Sequence, residues 1–262
     1  MTDESARVAV STPVAPLFAE PRVASAMISQ LLAGRVLDLL EPRDDWYRVR
    51  GPDDYEGWMH RGYLAKVPHE AARGSARTSR ISLGCVTTNP LGARRAMPLG
   101  AFLAPEERVR SGDVIEATRQ DELFPADAGA ITRTAQVYFE GTSYLWGGVT
   151  PWGADCSGLA QAVYWMHGIQ LHRDAWQQAT QGAPGAANMM DARAADLLFF
   201  SDRVDQHITH VAIALGGGCL VHLALGRGGY AVEKLDDTRD PYVQKLHDRF
   251  VLARRILAPA LG

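Results

Sequence analysis

Three side chains in the second half of this chain have the types and spacing to run acyl-transfer chemistry. Cys156 stands in Trp152-Gly153-Ala154-Asp155-Cys156-Ser157-Gly158-Leu159, directly ahead of a run in which Leu159, Ala162, Val163 and Met166 share one face at helical spacing. A thiol at a helix N-terminus feels the positive end of the helix dipole and the unpaired N–H groups of the first turn. Both favour the thiolate, which is the nucleophilic form. The same N–H groups can receive the oxyanion of a tetrahedral intermediate. The plain alternative is a buried cysteine serving as a small hydrophobe, so the assignment depends on its partners.

Two histidines supply those partners. His210 opens the alternating run His210-Val211-Ala212-Ile213-Ala214-Leu215, Gly216-Gly217-Gly218 follows, and Cys219-Leu220-Val221-His222-Leu223 returns. If the three glycines form the hairpin loop, Leu215 opposes Cys219 and Ala212 opposes His222. The histidines then lie on one sheet face as diagonal neighbours. Each alone reads as a core residue satisfied by backbone; beside a helix-capping cysteine they read as a base and its orienting group. In that division His210 takes the thiol proton and later protonates the leaving amine. His222 accepts a hydrogen bond from the other ring nitrogen of His210 and fixes its tautomer. A neutral orienter stabilises imidazolium less than a carboxylate would. A zinc site built from the same three residues is the competing use. It ranks lower because no fourth ligand is evident; His207, the nearest candidate, reads as a loop residue. No cofactor and no metal are expected.

The elements that must position these groups follow from period and punctuation. Ile131, Ala135, Tyr138 and Phe139 fall at helical spacing up to Gly141, and a second helix runs from Cys156 to a stop at Gly168. Strand-length apolar runs come next, Leu197–Phe200, Val211–Leu215 and Leu220–Leu223, with a last one at Phe250–Ile256. Helices followed by strands are an α+β order. Ahead of them, residues 8–67 show short strands separated by turn signals, among them Glu41-Pro42-Arg43-Asp44-Asp45 and Gly51-Pro52-Asp53-Asp54, which favours a small barrel. Ala71–Arg77 reads as a linker, and Ala96–Gly100 and Gly112–Ile115 as pieces of a degenerate second barrel. The expected domains are therefore 1–67, a small barrel; 68–128, a linker or second barrel; and 129–262, the unit with the chemistry.

Composition removes several classes. The 262 residues are 47% hydrophobic and 22% charged, with 27 Lys+Arg against 30 Asp+Glu, and neither half is basic. No nucleic-acid partner is therefore expected, since that affinity needs clustered cations. No stretch approaches a membrane span and no secretory core follows the acidic start. Three cysteines without a C-x-x-C pair argue against a disulfide framework. A cytoplasmic protein with reduced thiols is the expectation; oligomeric state is open.

Two sets of motifs resemble known families. Gln30-Leu31-Leu32, Gly34-Arg35-Val36-Leu37, Asp45-Trp46-Tyr47-Arg48-Val49, Glu56-Gly57-Trp58-Met59 and Tyr63-Leu64 resemble the bacterial SH3 domain. Tyr144-Leu145-Trp146-Gly147-Gly148, Asp155-Cys156-Ser157-Gly158-Leu159, Arg173-Asp174-Ala175-Trp176-Gln177-Gln178, Asp196-Leu197-Leu198-Phe199-Phe200, Thr209-His210-Val211-Ala212-Ile213 and Val221-His222 resemble, in order, the NlpC/p60 cysteine peptidases. The departures are Ala195 and Ala212, where the family usually has Gly, and Ala154, where a larger apolar residue is common. The resemblance implies an α+β chain, with a papain-like NlpC/p60 domain behind one or two SH3-like β-barrels, and a Cys156–His210–His222 triad. An SH3 barrel in front of this peptidase resembles the subgroup that cuts the γ-D-glutamyl–L-diamino acid bond of murein peptides with a free N-terminal L-Ala. By that resemblance Asp155, Glu20 and Tyr55 bind the amine, Tyr144 and Trp146 form a wall, and Asp174 and Ser157 add polar contacts. Arg173 either caps a loop or holds a substrate carboxylate. The alternatives are a secreted hydrolase of intact sacculus and a catalytically silent wall-binding module; the intact triad speaks against the second.

Overall fold

Apolar runs of four to six residues cut by polar turns cannot build a helical layer, and residues 7–66 pair instead as seven antiparallel strands. Their hydrogen-bonded order is Met27–Leu32, Val14–Phe18, Glu56–His60, Trp46–Arg50, Val36–Arg43, Arg7–Val10, Leu64–Lys66. Alternation sends Val8, Val10, Ala15, Leu17, Leu37, Val49 and Met59 into one shared core, with Tyr55 and Tyr63 packed against it. In this SH3-like arrangement no ladder joins the two end strands among the described residues. The turn expected over Glu41–Asp45 is tighter than its composition suggests. The strand continues to Arg43, Pro42 pairs with Tyr47, and the reversal is left to Asp44 (φ +51°) and Asp45. Aspartate tolerates that left-handed conformation.

This is a computed structural model in which residues 7–67 and 79–257 are described; the linker read at 71–77 lies outside them. The chain divides into two compact units, Met1–Leu123 and Phe124–Gly262. The first also holds six short strands over residues 80–116 in two three-stranded sheets. Ser82 Oγ ties them together, donating to the Met97 carbonyl (2.9 Å) and accepting from the Gly84 and Cys85 N–H groups.

The second unit has three helices ahead of its main sheet, α1 (Ala128–Phe139), α2 (Cys156–Met166) and the short α3 (Ala175–Gln178). The strands of that main sheet are β1 (Ala183–Pro184), β2 (Asp196–Phe200), β3 (His210–Gly216), β4 (Cys219–Ala224), β5 (Gly229–Lys234) and, after α4 (Pro241–Arg249), β6 (Phe250–Arg255). The sheet order is β1-β6-β2-β3-β4-β5, and every ladder is antiparallel. β2 is buried along its whole length, as its unbroken Leu-Leu-Phe-Phe run requires of a central strand. On one side Leu198, Phe200, Ala212, Ala214, Leu220, Leu246 and Ala253 form the core. α2 lies against β3 and β4 and packs on α1. Burying Leu159, Val163 and Met166 completely fixes the height and roll of α2; truncating such a side chain costs about 2–5 kcal/mol. No helix among the described residues is long and apolar enough to cross a membrane.

The β3–β4 hairpin differs from its expected register at the loop. Ile213 pairs with Val221 and Ala214 with Leu220, but Gly216, not Leu215, opposes Cys219, and Leu215 is bulged out. Gly216, Gly217 and Gly218 have φ of +80°, +60° and +71°, so the reversal is spread over three left-handed residues. The bulge lies beyond Ala214, and the register carried back one step from Ile213 sets Ala212 opposite His222.

Candidate active site

The start of α2 is organised by Asp155. As N-cap it accepts from the Gly158 N–H (2.7 Å) through Oδ1 and from the Gly147 N–H (2.8 Å) through Oδ2. Arg173, almost wholly buried, grips both oxygens, Nη1 at 3.0 Å and Nη2 at 2.7 Å, and also donates to Ser157 Oγ at 2.8 Å. Of the two readings left open for Arg173, the structure shows it as a clamp on this loop. Gly158 permits the turn to close, because a Cβ there would lie 2.0 Å from the Gly148 carbonyl oxygen. Thus four motif positions, Gly147, Gly148, Asp155 and Gly158, form one hydrogen-bonded and close-packed unit that presents Cys156.

The Cys156 thiol is buried at the first turn of α2, against the backbone N–H groups of Val211 and Ser157. Burial pushes it up to about 12, helped by the negative charge of Asp155, while the Val211 N–H, the Arg173 cation and the Ser157 N–H pull the other way. The expectation that the helix start would leave a thiolate is overridden here, because desolvation outweighs the local donors. His210 is displaced in the complementary direction. Burial, then the neighbouring His222 and the Arg249 charge, hold its imidazole well below the ordinary histidine value. Both shifts act in the same sense, burial disfavouring the charged form of the thiol and of the imidazole alike.

His210 Nε2 and His222 Nδ1 are 2.9 Å apart, with the rings nearly edge-on. This leaves Nδ1 of His210 as the ring nitrogen turned away from the His222 contact. His222 is completely buried, its Nε2 is 3.3 Å from Glu233 Oε1, and its ring stacks edge-on against Tyr242. Arg227 holds Glu233 at 2.8 and 2.9 Å, lies 4.4 Å over the Tyr242 ring and reaches Asp240 as well. Glu233, Arg227 and Tyr242 were not found by sequence reasoning. The parity that located His222 would have reached Glu233 had β5 been read as a third strand, since Leu220 opposes Glu233 and Leu220 shares a face with His222.

The remaining expected residues are placed as follows. Tyr144 is half-buried, and burial together with the charges of Cys156 and Asp155 raises its phenol strongly. Trp146 is two-thirds exposed on the adjoining loop. Ser157 Oγ lies between Arg173 and Asp155 (3.2 Å). Asp174 caps α3 in a reciprocal box with Gln177. Tyr55 and Glu20 belong to the first unit, where Tyr55 packs on the core and the exposed Glu20 pairs with Arg22 at 2.8 Å. His207 is exposed and lies beside Trp176. Among the described residues no group of three or more His, Cys, Asp or Glu side chains is arranged to hold a metal ion.

A thiol at a helix start, backed by two hydrogen-bonded histidines on an antiparallel sheet, occurs within residues 141–251, which match the NlpC/P60 family. Those residues form an NlpC/P60 domain. Residues 17–64 match the bacterial dipeptidyl-peptidase SH3 domain. The chain is 28% identical over 241 residues to a γ-D-glutamyl-L-lysine dipeptidyl-peptidase of Bacillus subtilis strain 168, covering 83% of this chain and 78% of that one. It is 26% identical over 265 residues to dipeptidyl-peptidase 6 of Lysinibacillus sphaericus, covering 89% and 93%. A crystal structure of an NlpC/P60 family protein from Bacillus cereus ATCC 10987 has the same fold, with TM-score 0.77 at 18% identity over 96% of this chain and all of that one. Ala195, one of the positions where the resemblance led to an expectation of glycine, has a φ of +63°, in the left-handed region that favours glycine.

Proposed function

We propose that this protein is a cysteine endopeptidase that hydrolyses the γ-D-glutamyl–L-diamino acid bond of murein peptides carrying a free N-terminal L-Ala. The observation that carries the reading is the hydrogen-bonded His210–His222 pair beside the buried thiol at the start of α2, within an NlpC/P60 domain that follows a dipeptidyl-peptidase SH3 domain. In the proposed reaction the Cys156 proton passes to His210 Nδ1 as sulfur attacks the γ-carbonyl carbon. The carbon–sulfur bond forms, and charge builds on the carbonyl oxygen near the amides that open α2, which have no intrahelical acceptor. Collapse breaks the carbon–nitrogen bond, and the His210 proton leaves with the amine of the diamino acid. Water, deprotonated by the same imidazole, then releases L-Ala-D-Glu and restores the thiol.

Substrate contacts are carried over from the resemblance: Asp155, Glu20 and Tyr55 for the free amine, Tyr144 and Trp146 as a wall, Ser157 and Asp174 as polar contacts. Three free cysteines suit a reducing compartment, and we place the activity in the cytoplasm, in the recycling of released peptides.

The test is direct. L-Ala-γ-D-Glu-L-Lys and its meso-diaminopimelate counterpart are incubated with the protein and with Cys156→Ala, and L-Ala-D-Glu is quantified. Release by the wild type alone is expected; no release of dipeptide from either substrate removes the proposal. Acetylating the L-Ala amine, or making Glu20→Gln and Tyr55→Phe, is expected to raise KM. An unchanged KM in all three would remove the amine pocket and leave the peptidase standing.

A further inference from the structure

We propose that Glu233 is a positioning residue which sets the tautomers of both histidines and thereby leaves His210 Nδ1 bare for the thiol proton. The inference rests on the assignment of Cys156, His210 and His222 made above. It begins with the chemistry of a buried carboxylate. Burial pushes Glu233 up, but the hydrogen bonds from His222 and Arg227 outweigh it and hold the carboxyl at about 2. An ionised carboxylate only accepts, so at Oε1 the proton must belong to His222 Nε2. As the neutral orienting group of the proposed triad, His222 carries one proton, so its Nδ1 is then an acceptor. Across the 2.9 Å contact, His210 Nε2 must therefore donate. With its proton on Nε2, His210 has its lone pair on Nδ1. Each assignment follows from the one before it, and the chain starts at Glu233.

The carboxylate is itself held rigidly. Arg227 spans both its oxygens and is fixed by Asp240, which caps α4 through the Tyr242 N–H at 2.8 Å, and by the Tyr242 ring beneath its guanidinium. The arrangement also supplies what a neutral His222 lacks. When His210 becomes imidazolium, the nearest anion along the hydrogen-bonded line is Glu233, one ring away. The Arg249 charge opposes that imidazolium from α4, and the Phe200 and His222 rings are its other neighbours.

A merely structural ion pair between Glu233 and Arg227 would make a different prediction, and the full-length chain distinguishes the two. The protein is labelled with nitrogen-15 histidine, and ring shifts are compared in wild type, Glu233→Met, Glu233→Asp and the double variant Arg227→Met/Glu233→Met. His167 serves as the internal reference for the opposite tautomer, since its Nδ1 faces the Pro125 carbonyl and its Nε2 the Thr134 hydroxyl. In wild type both His210 and His222 are expected to be protonated at Nε2 only. In Glu233→Met and in the double variant, the His222 signal should become a tautomer mixture with His167 unchanged. kcat should fall about 100-fold or more, with KM within about threefold. Glu233→Asp should retain the Nε2–H form and recover most of kcat. The proposal is overturned if wild-type His222 carries its proton on Nδ1. It is equally overturned if the double variant keeps both the Nε2–H signature and kcat, because Glu233 would then serve only to neutralise Arg227. Failure of wild type to cleave either peptide would instead remove the functional assignment, whatever the ring shifts showed.

Discussion

Removing Arg173 and its anion together should destabilise the second unit by less than the sum of removing each alone. Arg173 is 1% exposed and makes three hydrogen bonds of 2.7–3.0 Å to Asp155 and Ser157. Asp155 is buried beside it, and its two oxygens also accept from the Gly147 and Gly158 amides. Truncating one partner of a buried bidentate pair leaves an uncompensated charge, at a cost of about 3–5 kcal/mol. For a unit of this size that is roughly a 10–15 °C fall in Tm. Arg173→Met should therefore lose about that much. Asp155→Asn keeps an oxygen for the helix cap but strands the guanidinium, and should lose a similar amount. The double variant removes both charges and should lose less than the two single losses combined, by about 1–3 kcal/mol. Guanidinium titration of the four proteins, followed by circular dichroism with tryptophan fluorescence as a second probe, measures all three differences. Strict additivity would refute the reasoning, because it would mean that the two charges do not depend on each other inside the fold. A stable Arg173→Met protein would refute it as well.

Other expectations follow from particular residues. Gly158→Ala puts a methyl group 2.0 Å from the Gly148 carbonyl oxygen and should displace the first turn of α2, lowering kcat for peptide hydrolysis by at least about 100-fold; wild-type kcat would show that the approach is not needed. At Ala195, relief of the left-handed backbone by glycine, about 1–2 kcal/mol, is offset by the lost buried methyl and the greater freedom of the unfolded chain. Ala195→Gly should therefore unfold within about 0.5 kcal/mol of wild type in urea, whereas the β-branched Ala195→Val should lose more than about 2 kcal/mol. Because burial holds the Cys156 thiol up at about 12 and the His210 imidazole down, the alkylation rate of the free protein by iodoacetamide should climb steadily from pH 6 to pH 10. A flat rate across pH 5–8 would instead indicate a standing thiolate–imidazolium pair.

Residue type and spacing alone carried the candidate triad, because its members are placed by local rules. A cysteine that opens an amphipathic run is set at a helix start by the capping Asp155, and two histidines separated by an even count around a glycine loop share a face of the hairpin whatever it packs against. The same local rules led to α1, α2 and the strands from β2 to β4, and the ordered motifs led to the NlpC/P60 domain. Tertiary structure decided what surrounds those groups. The distant Arg173 becomes the clamp on Asp155 because a buried carboxylate at a helix start needs a cation, and no spacing rule names which one. Desolvation opposes the thiolate expected from the helix dipole, since the balance depends on how completely water is excluded and not on position in the helix alone. Glu233 lies behind His222 only because β5 pairs with β4 in that register, and Arg227 keeps it ionised there. Local chemistry selected the candidate residues; packing set what surrounds them.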